Sequence, residues 1–287
     1  MWSTSLPAGQ TNKTEIAVRF LNLAGIIAVI ALVVATGPAV GAQLSTECSP
    51  NGLCYCVSDD LKSTIAARVE AIRGGIAAQR QQGKAIGYLS IPISTIAGAY
   101  LGVNAEIAAG TKARVEQRFG AASLWLLNTA AKEFALPGTA SGADYMLMWT
   151  RVLEGSDGLG RDFDFVYFSG PSDFGQYFAF DGRADMAKLE KYYDRHAKAD
   201  AGLRAINKTD FRNYYGLRAS VSFSLGSHDE WNIIRTINEK RRASKDGADS
   251  FGVARQIAVL FNGTGVAPGL FDAPTQAGDE GKCSLPK

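Results

Sequence analysis

Apolar residues recur at helical spacing between Asp59 and Arg80, at Leu61, Ile65, Val69, Ile72 and Ile76, and Gly83 closes the run, which predicts an amphipathic helix. The period then shortens. Residues 85–94 are an apolar stretch whose Pro92 has no amide to give a ladder and so belongs at the end or edge of a strand. A helix is predicted over 104–119, with Asn104 as its N-cap and Gly120 as its stop. Residues 123–128 form a second buried strand, and 143–153 a helix presenting Tyr145, Met148, Trp149 and Val152. Residues 163–168 are a third strand, aromatic and β-branched, too short for a helix and bounded by a Gly-Pro turn. Helical spacing returns over 185–196.

Strand, helix, strand, helix, strand, helix over 85–201 predicts an α/β fold with three layers, a short parallel sheet and crossover helices. Right-handed crossovers bring the carboxyl ends of the strands to one edge, where an open α/β sheet presents its ligand site. The last third changes character. Residues 217–225 alternate strictly between apolar and polar, which predicts a half-exposed antiparallel strand at the sheet edge. Ser227 and Glu230 have the spacing of a capping box ahead of Trp231, Ile234 and Ile237. A last helix is predicted over 250–261, ended by Asn262-Gly263. The chain thus divides into a targeting segment (1–42), a cysteine-containing segment with the first helix (43–84), the α/β domain (85–262) and an extended tail (263–287).

Composition adds a compartment. The 287 residues, 46% hydrophobic and 20% charged, suffice for one sizeable core. A formal charge of +2, with basic residues scattered, gives no footprint for nucleic acid. Lys13 and Arg19 precede an apolar run over 20–37, and Val40-Gly41-Ala42 supplies small residues, which predicts a signal peptide cleaved before Gln43 and a periplasmic or secreted protein. The uncharged span 20–46 is also long enough to cross a bilayer, so the alternative is an uncleaved inner-membrane anchor facing the periplasm. Cys48, Cys54, Cys56 and Cys283 are an even set, which in an oxidising compartment predicts two disulfides, one of them tying the tail to the amino-terminal segment. The two histidines, His196 and His228, are far from Cys54 and Cys56 in sequence, so no metal or other cofactor is expected.

Candidate chemistry gathers at the predicted strand ends. Asp173, in the loop beyond the third strand, is the first catalytic candidate, and Asp144, opening the 143–153 helix, the second. Two carboxylates whose environments separate their pKa values can divide acid and base or nucleophilic roles. Ser94 and Thr95 after the first strand, Asn128 after the second, Tyr145 beside Asp144, and Ser169 and Ser172 after the third complete a ligand-binding set. Each has a structural alternative: Asp144 suits a helix dipole and Asn128 a turn, as Asp162, Asp181 and Asp185 suit caps and turns. Asp164 either needs a partner or lies at the start of its strand. No Gly-x-Ser-x-Gly elbow supports a Ser-His-Asp triad.

Tyr88-Leu89-Ser90-Ile91-Pro92 on a first strand, Asn128 ending a second, Asp144-Tyr145 on a helix and a polar loop after a third resemble, over 85–201, the nucleoside 2-deoxyribosyltransferase-like fold. The resemblance implies a parallel sheet with a nucleoside-like ligand. That family uses a glutamate nucleophile at a helix start after a Ser-Gly element, whereas Ser169-Gly170 here is followed by Asp173 and Gln176, with no glutamate before Glu190. Residues 142–178 also resemble exported proteobacterial proteins. The expected function is therefore a binding or hydrolytic site for a small polar molecule, nucleoside- or sugar-like, at the strand carboxyl ends. The alternative is a non-enzymatic structural or interaction protein of the cell envelope.

Overall fold

The computed structural model describes residues 43–93, 97–216, 224–245, 250, 252, 254–275, 281 and 283. A hairpin opens them: β1 (Leu44–Cys48) pairs antiparallel with β2 (Cys54–Ser58), and a disulfide joins Cys48 to Cys54 across its mouth. The Ser-Pro-Asn-Gly turn between the strands is the sequence signal for this hairpin. A 3-10 turn at Asp59–Leu61 leads into α1 (Lys62–Gln81), which buries Ile65, Val69, Ile72 and Ile76.

The three apolar runs form the parallel centre of a five-stranded sheet. β3 (Ala85–Ser90) lies between β4 (Leu124–Asn128) and β5 (Phe165–Phe168), with Gly87 opposite Leu126 on one side and Phe165 on the other. Such strands are apolar on both faces because helices cover both. On one face α1, α3 (Gly142–Glu154) and α8 (Leu225–Ser244) pack on Ile86, Tyr88, Val166 and Phe168. On the other, α2 (Leu101–Phe119), α4 (Pro171–Tyr177), α5 (Asp185–His196) and α7 (Lys208–Gly216) pack on Leu89, Leu126, Phe165 and Tyr167. A short α6 (Ala201–Ala205), capped by Asp200, joins α5 to α7.

Four expectations change. The run predicted as a helix over 250–261 instead contains β6 (Ala258–Phe261), parallel to β5. Its Asn-Gly, read as a helix stop, is a two-residue hairpin turn with φ of 52° at Asn262 and 82° at Gly263, and it returns the chain antiparallel as β7 (Thr264–Gly265). Positive φ at both central residues is what a type I′ turn requires, and Asn-Gly supplies it. The antiparallel edge strand is therefore β7. Of the 217–225 segment expected there, residues 217–223 lie outside the described residues, Ser224 is an N-cap and Leu225 opens α8. Third, Asn104 does not cap α2; Tyr100 holds that position, and Asn104 is fully buried, accepting a hydrogen bond from the Tyr215 hydroxyl at 2.8 Å. Fourth, the polar loop after the third strand is the helix α4, with Pro171 in its first turn, where its missing amide costs nothing.

Beyond β7, α9 (Pro268–Phe271) buries Phe271 against Trp231 of α8. The tail then reaches back to the hairpin: Gly281 N donates to Cys54 O, Cys283 N donates to Thr46 Oγ1, and Cys56 and Cys283 are bonded as a disulfide. The two expected disulfides are thus both present, one of them holding the tail, and no described residue is a free cysteine. Among the described residues, no helix is long and apolar enough to cross a membrane and no cluster could hold a metal ion.

Candidate functional site

The connection leaving β3 runs to β4 on one side, and the connection leaving β5 runs to β6 on the other. The order of strands therefore reverses between β3 and β5, and the crevice beyond their carboxyl ends is where an open α/β sheet takes a ligand. Ser90 ends β3, Ser169 follows β5, and the Ser169 amide donates to the Ser90 carbonyl at 2.9 Å.

The group brought to this place is one that the sequence reading assigned elsewhere. Ser224, not Ser227, caps α8, its side chain accepting from the Ser227 amide at 3.2 Å. With the cap one turn earlier, Glu230 is released from any capping duty and faces the sheet. Its two carboxylate oxygens accept hydrogen bonds from the Tyr88 hydroxyl and the Ser90 hydroxyl. Tyr88 and Ser90 are fully buried and Glu230 is 6% exposed. Burial pushes the Glu230 carboxyl up to about 7; the two hydroxyls oppose the shift, and the Asp229 charge beside it adds to it. Burial and that carboxylate likewise hold the Tyr88 hydroxyl well above the ordinary tyrosine range, so it serves as a donor. A carboxyl poised near neutrality can take or give a proton without a change of environment.

The residues singled out from sequence do not converge on one place. Asp173 lies on the opposite face of the sheet from Glu230, among groups that satisfy it: the Gly170 amide at 3.0 Å, Arg114 at 2.9 Å and the Tyr167 hydroxyl at 3.1 Å. It caps α4 from the N3 position and is 4% exposed. Asp144 sits on the Glu230 face at the start of α3, in a capping box with Ser141, and its other oxygen takes the Ser58 amide at 3.0 Å. The two carboxylates are thus not brought together. Tyr145 turns its hydroxyl to the Leu136 amide at 2.9 Å, and Asn128 forms a turn by accepting from the Ala130 amide at 3.0 Å. Ser172 exchanges bonds with Asn262, its amide donating to Asn262 Oδ1 at 2.8 Å and its hydroxyl accepting from Nδ2 at 3.0 Å, so it pins α4 to the β6–β7 turn. Ser94 and Thr95 lie outside the described residues. Ser169 remains at the carboxyl edge of the sheet beside Ser90, fully buried, its hydroxyl without a hydrogen-bond partner among the described residues.

Asp164 and Asp185 each hold the fold together. Asp164 stands just before β5 and holds Arg80, Arg255 and the Ile86 amide, satisfying both halves of its expectation. Asp185 accepts from the Asp181 and Gly182 amides, fixing the turn before α5. What could have found Glu230 is a register argument. Tyr88 and Ser90 are hydroxyl-bearing residues spaced by two on a buried strand, so they share one face, and a fully buried pair of donors calls for an acceptor from the covering helix. No protein-family model, curated protein or solved structure matches the chain.

Proposed function

We propose that this is an exported protein whose crevice at the carboxyl ends of β3 and β5 takes a small polar ligand, nucleoside- or sugar-like, and that Glu230 is its acid–base group in a hydrolytic reaction. The observation that carries the reading is the buried Glu230 carboxyl, pushed up to about 7 and held by Tyr88 and Ser90 at the point where strand order reverses. The Ser169 hydroxyl at the same edge, without a partner among the described residues, supplies a donor for a sugar hydroxyl. Export is supported by the basic residues ahead of the apolar run 20–37, and the two disulfides are compatible with an extracytoplasmic location.

A thermal-shift screen of nucleosides and monosaccharides tests the site. A compound that raises the melting temperature of the wild-type chain and fails to raise that of a folded Glu230→Gln variant is the expected result; a shift that survives the substitution, or a library with no stabilising member, removes the proposal. In the second reading the chain is an envelope protein without a reaction, and Glu230 is a polar clamp between α8 and β3. It is favoured by one feature: both carboxylate oxygens are already occupied by protein hydroxyls. In that case Glu230→Gln alters stability alone.

A further inference from the structure

On the sheet face opposite Glu230, a groove of about 440 Å3 opens between the end of α4 and one side of α5. Its floor is aromatic. Tyr192 and His196 stack with ring centroids 4.1 Å apart and planes inclined by 17°, and the Tyr177 hydroxyl ties that stack to α4 through a 2.7 Å bond to the Tyr192 hydroxyl. Glu106, itself exposed, accepts the other bond of Tyr177. His196 Nε2 is buried and has no hydrogen-bond partner among the described residues.

The rim is cationic. Lys188, Lys191 and Arg195 project along one side of α5 at spacings of three and four residues, where like charges repel. Lys188 is committed to Asp181 at 2.5 Å and Asp185 at 3.5 Å. The neighbouring acids are committed as well, Asp194 to Lys208 at 2.7 Å and Glu190 to Arg212 at 3.2 Å. Lys191 and Arg195, both exposed, are in no ion pair among the described residues. Two uncompensated cations one helical turn apart over an aromatic floor are complementary to a flat ring that carries a negative charge.

We propose that this groove binds a small anionic aromatic molecule, its ring against the Tyr192–His196 stack and its phosphate or sulfate group between Lys191 and Arg195. The site is separate from the Glu230 crevice and does not depend on that reading. Titration of the full chain with 1-naphthyl phosphate, followed by calorimetry, should give saturable binding that weakens as salt is raised. Inorganic phosphate, which lacks the ring, and 1-naphthol, which lacks the charge, should each bind at least about tenfold more weakly, as should 1-naphthyl phosphate to a Lys191→Ala, Arg195→Ala double variant. Both substituted side chains are exposed, so an unchanged melting temperature establishes that the variant is folded. Glu230→Gln should leave the affinity as it is. Absence of saturation, salt-independent binding, equal affinity for 1-naphthol, or an unweakened double variant would overturn the proposal. Tighter binding of poly-glutamate than of 1-naphthyl phosphate would overturn it too, and would assign the groove to an acidic protein segment.

Discussion

Glu230 enters the core with two hydroxyls to receive it and a like charge at Asp229 for company, so its protonation is coupled to folding. In the folded chain the carboxyl titrates at about 7, against an ordinary value of 4.5. Between those values the folded state holds a proton that the unfolded state has released. The stabilisation is therefore complete below about pH 4.5 and is lost as pH rises through about 7. Chemical denaturation of wild type and Glu230→Gln across that window should show the stability difference shifting against the wild type by about 3 kcal/mol toward the alkaline side, with the variant flat in this respect. A constant difference would mean that Glu230 is charged throughout. Asp173 yields the opposite kind of prediction. From sequence it is a loop residue whose replacement by Asn should be cheap. Buried between the Gly170 amide, Arg114 and Tyr167, it should instead cost about 1–3 kcal/mol as Asp173→Asn, measured as a lowered denaturant midpoint. Both misplacements have one cause: short-range patterns such as Ser-x-x-Glu or an acid after Gly-Pro suit a surface cap as well as a buried partner, and only the neighbouring helix decides between them.

At the scale of elements, what could be read early was what is set by local chemistry and burial together. The runs 85–94, 123–128 and 163–168 contain few polar side chains to turn toward water, so they read as interior strands covered on both faces, and the helices between them set their parallel direction; the order β4-β3-β5 is visible only in the structure. The run ending in β6 was ambiguous because Ala-Val-Leu-Phe is as good a buried helix turn as a buried strand; the Asn-Gly after it fitted a helix terminus as well as a hairpin. The left-handed backbone at both turn residues makes that distinction testable. Gly263→Ala should cost about 1–2 kcal/mol by placing a Cβ at a φ of 82°, lowering the thermal midpoint, whereas a helix-ending glycine at the same position would show no accompanying loss of amide protection in β6. Helices α6 and α7 leave little periodic signal in the sequence because they are short, five and nine residues, and depend on caps at Asp200 and Asn207 more than on periodicity.

The whole molecule is closed by one bond. Cys56 in the hairpin and Cys283 in the tail are 227 residues apart, and everything between them, the complete sheet and both helical faces, lies inside the loop that their disulfide closes. Replacing the pair with serine should lower stability by about 2–5 kcal/mol and free the tail from the Cys54 carbonyl and the Thr46 hydroxyl, seen as faster exchange of the amides at positions 281 and 283. The same bond has a mechanical meaning. Tension applied to the chain outside residues 56 and 283 passes from the hairpin straight into the tail and bypasses the sheet, so the domain carries no load. Pulled between residues 56 and 283, the oxidised protein should lengthen hardly at all, and only after reduction should the enclosed chain extend; the crosslink is a strain relief around the fold, as a tether is around a cable.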